Sequence, residues 1–200
     1  MKIKLFLTAL FIIPFFTISS TVFAMGVDTP TIDDISPSIP PTASPIITME
    51  NKQIQYDLPY PGLLPGNPLY SLKVLRDKIV EFFISDPVRK ADYELLQADK
   101  RINASIYLSN EKPLHEDLIS STVSKSFNYL EQAISQTQIA TKQKIDMQSF
   151  IQHMDTASQK YHSVILQLET KASPDLKADL EGDQKRLDAI RKSIIKMERS

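Results

Sequence analysis

A seven-residue apolar repeat runs through the C-terminal half of the chain. Its positions alternate in steps of four and three residues: Met147, Ile151, Met154, Ser158, Tyr161, Ile165, Leu168 and Ala172. This spacing keeps one side chain per turn on a single helix face, as in coiled coils and helical bundles. The repeat therefore predicts a long helix that packs against neighbours along its length.

Apolar residues recur at three- and four-residue steps in the other segments after Pro68 as well. Asp86-Pro87 and Ser173-Pro174 each offer an N-cap followed by a proline at the first helical position. No proline or glycine marks the boundary between the third and fourth helices. We predict an all-α fold, an antiparallel bundle of about five helices with coiled-coil-like long helices, over residues 59–200.

Three polar residues interrupt the apolar stripes, namely Ser105, Ser158 and Asp183. We interpret them as surface positions near frayed helix edges. A polar seam that lines a ligand cleft is the alternative.

The first 24 residues have the pattern of a secretory signal peptide. Lys2 and Lys4 precede an apolar run from Leu5 to Ile18, and the segment ends in a Val-Phe-Ala sequence at Ala24. We predict cleavage after Ala24 and an exported protein that is periplasmic, extracellular or on the cell surface. An uncleaved single N-terminal anchor is the alternative, because the segment is just long enough to span a bilayer.

Residues 25–58 form a proline-rich segment with no helical or strand periodicity. Such a composition is typical of a disordered, semi-extended linker. Loss of Lys2 and Lys4 would change the net charge from −1 to −3. This acidic balance argues against nucleic acid as a partner, since nucleic-acid binders carry a basic surface.

A block dense in turn residues and large apolar side chains opens the helical domain. Its prolines and glycines predict turns, and Pro68 is expected in the first turn of a helix. We predict that the block folds back as a structural lid with its apolar side chains buried, and an exposed docking motif is the alternative. The candidate residues are Tyr60, Leu63, Leu64, Pro65, Pro68, Leu69, Tyr70, Leu72 and Lys73.

This block, read as Pro61-Gly62-Leu63-Leu64-Pro65-Gly66-Asn67-Pro68-Leu69-Tyr70-Ser71-Leu72-Lys73, continues through Asp86-Pro87-Val88-Arg89-Lys90-Ala91. Over about Tyr60 to Ile102 the chain resembles a bacterial exported family that is known only as a helical domain of unknown function, with the opening motif Pro-Gly-x-Leu-Pro-x-x-Pro-Leu-Tyr-x-Leu-Lys. The resemblance implies an exported or membrane-tethered helical domain and no assigned activity.

The sequence offers no recognisable catalytic or metal-binding pattern. It has no cysteine, and His115, His153 and His162 lack the spacing of metal ligands. Gly-x-Ser-x-Gly and glycine-rich phosphate loops are also missing from it. We therefore predict a protein that is not an enzyme and needs no cofactor, with its histidines in solvent.

Two functions fit these observations. The first is a non-catalytic interaction or scaffold module in the cell envelope, whose partner is an unknown envelope protein or its own copy. The second is an extracytoplasmic small-ligand-binding or sensor domain. A filled core with an exposed apolar strip favours the first, whereas a large internal cavity favours the second. Once cleaved, the domain is expected to make no membrane contact.

Overall fold

The structure, a computed structural model, describes residues 55–199. The predicted signal peptide and the predicted linker up to residue 54 lie outside the described residues. Within the described range the chain forms α-helices and no strand, which confirms the all-α class. The helices are α1 (Tyr70–Phe83), α2 (Pro87–Leu108), α3 (Glu116–Lys142), α4 (Gln148–Glu169) and α5 (Pro174–Glu198).

Two helices begin at the predicted caps. The Asp86 carboxylate accepts a hydrogen bond from the backbone N–H of Val88 at 2.8 Å, and Pro87 is the first residue of α2. The Ser173 hydroxyl accepts the N–H of Leu176 at 3.3 Å, again just ahead of a proline. Each cap satisfies backbone N–H groups that have no partner inside the helix.

The unmarked boundary between α3 and α4 falls at residues 143–147. Lys144 adopts a positive φ of 64° there, and the N–H of Ile145 bonds back to the carbonyl of Ala140 at 3.1 Å. Glycine usually occupies such a left-handed position at a helix end. Because this chain uses a lysine, the sequence carries no recognisable stop signal.

Helices α2 to α5 form a four-helix bundle. Both α2 and α5 pack against α3 and against α4, so α2 and α5 lie on one diagonal. Along α3 and α5, Ser120 bonds to Asp179 at 2.8 Å and Ser124 to Asp183 at 2.9 Å. Since the residue numbers of the bonded pairs rise together along the two helices, α3 and α5 are parallel neighbours.

The relative direction of α4 and α5 follows from similar contacts between their side chains. Gln184 of α5 bonds to Glu169 of α4 at 2.8 Å, and Arg191 lies 3.9 Å from Asp155. These pairs run in opposite order, so α4 and α5 are antiparallel. Helices α4 and α5, which a short loop joins, are therefore antiparallel, as predicted, whereas α3 and α5 are parallel neighbours that the sequence did not reveal.

The core lies between these four helices. Every position of the seven-residue repeat from Met147 to Leu168 is buried, and Ala172 is half-buried, so the predicted packing stripe is confirmed. Phe127 and Tyr161 are the largest fully buried side chains. Each large apolar side chain removed from water stabilises the fold by about 1.5 to 3 kcal/mol.

The interpretation of Ser105, Ser158 and Asp183 as surface positions is wrong. Both serines are fully buried, and Asp183 is 7% exposed. Each serine hydroxyl donates to a carbonyl three residues earlier in its own helix, at 2.6 Å for Ser105 and 2.7 Å for Ser158. A buried serine needs no partner on another helix, because its own backbone accepts the hydroxyl proton.

Candidate functional site

Helix α1 lies outside the four-helix bundle with its apolar face turned to solvent. The α1 outer face consists of Leu69, Leu72, Leu75, Ile79, Val80, Phe82 and Phe83, and these side chains are between 44% and 82% exposed. The two phenylalanine rings meet edge to face, with centroids 5.6 Å apart. The row follows one side of a helix about 21 Å long, at a rise of about 1.5 Å per residue.

The opposite side of α1 carries ionised groups beside Tyr70 and Val74. Asp77, 5% exposed, is held by Lys73 at 3.0 Å and by Arg76 at 2.7 Å. Its backbone carbonyl accepts the hydroxyl of Tyr93 on α2 at 2.8 Å. Burial opposes ionisation of Asp77, but the hydrogen bonds from Arg76 and Lys73 outweigh it, so the pKa of Asp77 is lowered. Because Lys73, Arg76 and Asp77 all lie within α1, the polar attachment of α1 to α2 is the hydrogen bond from Tyr93.

The turns predicted before α1 are present. Gly62 and Gly66 have φ of 73° and 96°, values that favour glycine. Pro61 and Pro65 are buried, and Leu64 packs against the core. Helix α1 begins only at Tyr70, so the prediction that Pro68 lies in its first turn is wrong. The Asn67 side chain accepts the N–H of Leu69 at 2.9 Å and forms a turn before the helix instead.

The structure divides the candidate residues of the block between two environments. Pro65 is buried, and Leu64, Tyr70 and Lys73 are half-buried on the bundle side. The expectation that all its apolar side chains are buried is wrong for Tyr60, Leu63, Leu69 and Leu72, which are 71%, 40%, 56% and 63% exposed. Pro68 is exposed as well. For Leu69 and Leu72 the reason is the orientation of α1, which turns its apolar face outward, whereas Tyr60 and Leu63 lie in the turns before the helix.

A hydrogen-bond network that the sequence did not predict ties residue 56 to the bundle. Asp99 of α2 accepts the hydroxyls of Tyr56 and Tyr161, each at 2.8 Å, and His153 lies 3.2 Å from the Tyr56 hydroxyl. Leu58 also packs against the core. Tyr56 and Leu58, which belong to the predicted linker, are therefore packed against the bundle.

The network does not favour chemistry at Tyr56. Burial raises its pKa far above the usual value, and the negative charge of Asp99 adds to the rise. A nucleophilic or basic tyrosine needs a lowered pKa. Although His153 is exposed, its edge-to-face contact with Tyr56 at 5.4 Å shows that this histidine also has a protein partner.

Between residues 55 and 199, no three His, Asp or Glu side chains are grouped closely enough to hold a metal ion. None of the five helices described above has the length and apolar character needed to cross a bilayer.

Comparison with known proteins gives no family model, curated protein or solved structure with a significant match to this chain. The resemblance to an exported helical family therefore stays a prediction.

Proposed function

We propose that this protein is an exported, non-catalytic interaction module of the cell envelope and that it docks through the α1 outer face. The observation that carries the proposal is the row of exposed apolar side chains on the α1 outer face, among which Arg76 is also exposed. Single exposed apolar residues are common on protein surfaces, but a contiguous row of them marks an interaction site.

The chemistry of the α1 outer face suits a protein partner. Leucine, isoleucine and phenylalanine at helical spacing are the anchors by which an amphipathic helix enters an apolar groove. Phe82 and Phe83, 82% and 75% exposed, offer the largest area for burial. A convex helix surface of this kind does not enclose a small molecule, whereas ligand sites are concave.

Residues 72, 75, 79 and 83 can be tested as one surface. We expect a photo-crosslinker at Leu75 to join the exported protein to an envelope protein in cells of its own organism. Serine at Leu72, Ile79 and Phe83 together should abolish that product, because it removes the apolar anchors without disturbing the polar attachment of α1.

The matched control is Leu166→Ser, because Leu166 is 47% exposed on α4, away from α1. This variant should retain the crosslinked product. An unchanged product in the triple variant, with native melting temperature, would overturn the proposal.

A further inference from the structure

The cleft between α1 and the α2–α3 pair contains an unusual arginine. Arg101 of α2 is 5% exposed and lies at a cleft of about 480 Å³. Its guanidinium carbon is 5.3 Å from the ring centroid of Tyr70 and 5.7 Å from that of Tyr129. Arg101 thus lies near two aromatic rings, one at the first residue of α1 and one on α3.

The guanidinium of Arg101 has an unsatisfied buried donor. Its Nε is buried without a partner, and within residues 55–199 no carboxylate forms an ion pair with it. Arginine is rarely this buried unless an acceptor pairs with it. The cation–π contacts stabilise the charge but supply no oxygen acceptor for the N–H groups.

The remaining charges at the cleft are mainly positive. Lys78 of α1 and Lys125 of α3 line it together with Arg101, against the single carboxylate of Glu81. Asn128 and Gln132 add side-chain amides that can donate hydrogen bonds. A concave site of this size, with convergent donors and excess positive charge, matches the requirements of a small anion.

We propose that this cleft binds a small oxyanion, a carboxylate or a phosphate, whose oxygens accept hydrogen bonds from Arg101. Lys125 and Lys78 attract the ligand, and Tyr70 and Tyr129 fix the guanidinium for it. This site is separate from the α1 outer face and does not depend on docking there. The competing explanation is that Arg101 is a structural cation with no ligand.

Calorimetric titration of the full chain with inorganic phosphate and with succinate, at ionic strength held constant with chloride, tests the proposal. We expect saturable binding of at least one anion and a shift of the Arg101 Nε–H resonance in its NMR spectrum. Arg101→Lys should weaken binding by about tenfold or more, because lysine lacks the two-pronged donor geometry.

Lys125→Gln keeps the test decisive if the substitution of buried Arg101 disturbs folding. Lys125 is exposed, so its loss should leave the fold intact and weaken binding on the order of threefold. Lys177→Gln, at an exposed position of α5, is the matched control and should bind as the native chain does.

Binding of phosphate alone assigns a phosphoryl ligand, and binding of succinate alone assigns a carboxylate. Binding of both supports a general oxyanion site. No shift of the Arg101 resonance with either anion, or equal affinity in the Lys125→Gln and Lys177→Gln variants, would overturn the proposal. None of these results bears on crosslinking through Leu75.

Discussion

Asp99 and Tyr161 join α2 to α4 through a hydrogen bond of 2.8 Å inside the bundle. Tyr161 is fully buried in the core, and Asp99 is 6% exposed. The second oxygen of Asp99 accepts the hydroxyl of Tyr56. One carboxylate therefore connects two helices and the segment that leads into the domain.

The Tyr161→Phe substitution should lower the free energy of unfolding by about 1 to 3 kcal/mol. It removes a buried donor and leaves one oxygen of Asp99 without its partner, and an unsatisfied buried acceptor costs about that much. Urea denaturation followed by circular dichroism measures the change. Tyr107→Phe, at a 45% exposed position, serves as control, and an equal effect in both variants would contradict the role of this bond.

Glu94 on α2 should make stability depend on pH. It is fully buried, and neither carboxylate oxygen has a hydrogen-bond partner within the described residues. Burial, followed by the charge of Glu81, raises its pKa from 4.5 to about 7. The folded state therefore binds the carboxyl proton of Glu94 more tightly than the unfolded state does. The resulting contribution to the free energy of unfolding is complete below pH 4.5 and is lost as pH rises through about 7.

The Glu94→Gln variant should therefore be more stable than the native chain at pH 8, by about 1 to 3 kcal/mol, and nearly equal to it at pH 4. Denaturant titrations at both pH values test this. Glu181→Gln, at an exposed position, should show neither effect. A native chain whose stability does not fall between pH 5 and pH 8 relative to Glu94→Gln would refute the assignment.

Leu64 and Leu72 belong to the same sequence block but should respond differently to truncation. Leu64 packs against the core, so Leu64→Ala should destabilise the domain by about 1 to 2 kcal/mol. Leu72 is 63% exposed on α1, so Leu72→Ala should change stability by less than about 0.5 kcal/mol. Thermal melts of the two variants compare them directly, and equal losses would show that the α1 outer face is covered in solution.

The comparison of Leu64 with Leu72 also shows what the sequence could predict. Periodicity and caps such as Asp86 identified the helices, because both depend on local spacing. The orientation of α1 could not be predicted in this way. Its apolar stripe looks like any core-facing stripe in sequence, and contacts with distant residues, such as the hydrogen bond from Tyr93 to the Asp77 carbonyl, show which side faces the bundle.

The candidate sites depend even more on contacts between distant residues. Asp99 lies 62 positions from Tyr161 in the sequence, so no local pattern predicts their hydrogen bond. Arg101 likewise lies between rings contributed by separate parts of the chain. Asp99 and Arg101 lie among the apolar positions of α2, and this placement was the available sign of a buried polar residue. It does not identify the residues that they contact.

Gly66 and Gly182 provide a final test, because the same substitution should have opposite effects at the two positions. Gly66 has a φ of 96°, and an added Cβ would lie 3.4 Å from the Leu118 side chain. Gly66→Ala should therefore lower stability by at least about 1 kcal/mol through backbone strain.

Gly182 lies inside α5, where an added Cβ meets nothing within 4 Å. Gly182→Ala should raise stability by about 0.5 to 1 kcal/mol, since alanine is the better helix former. Thermal unfolding of both variants measures the difference, and a Gly66→Ala variant as stable as the native chain would show that the turn before α1 is formed differently.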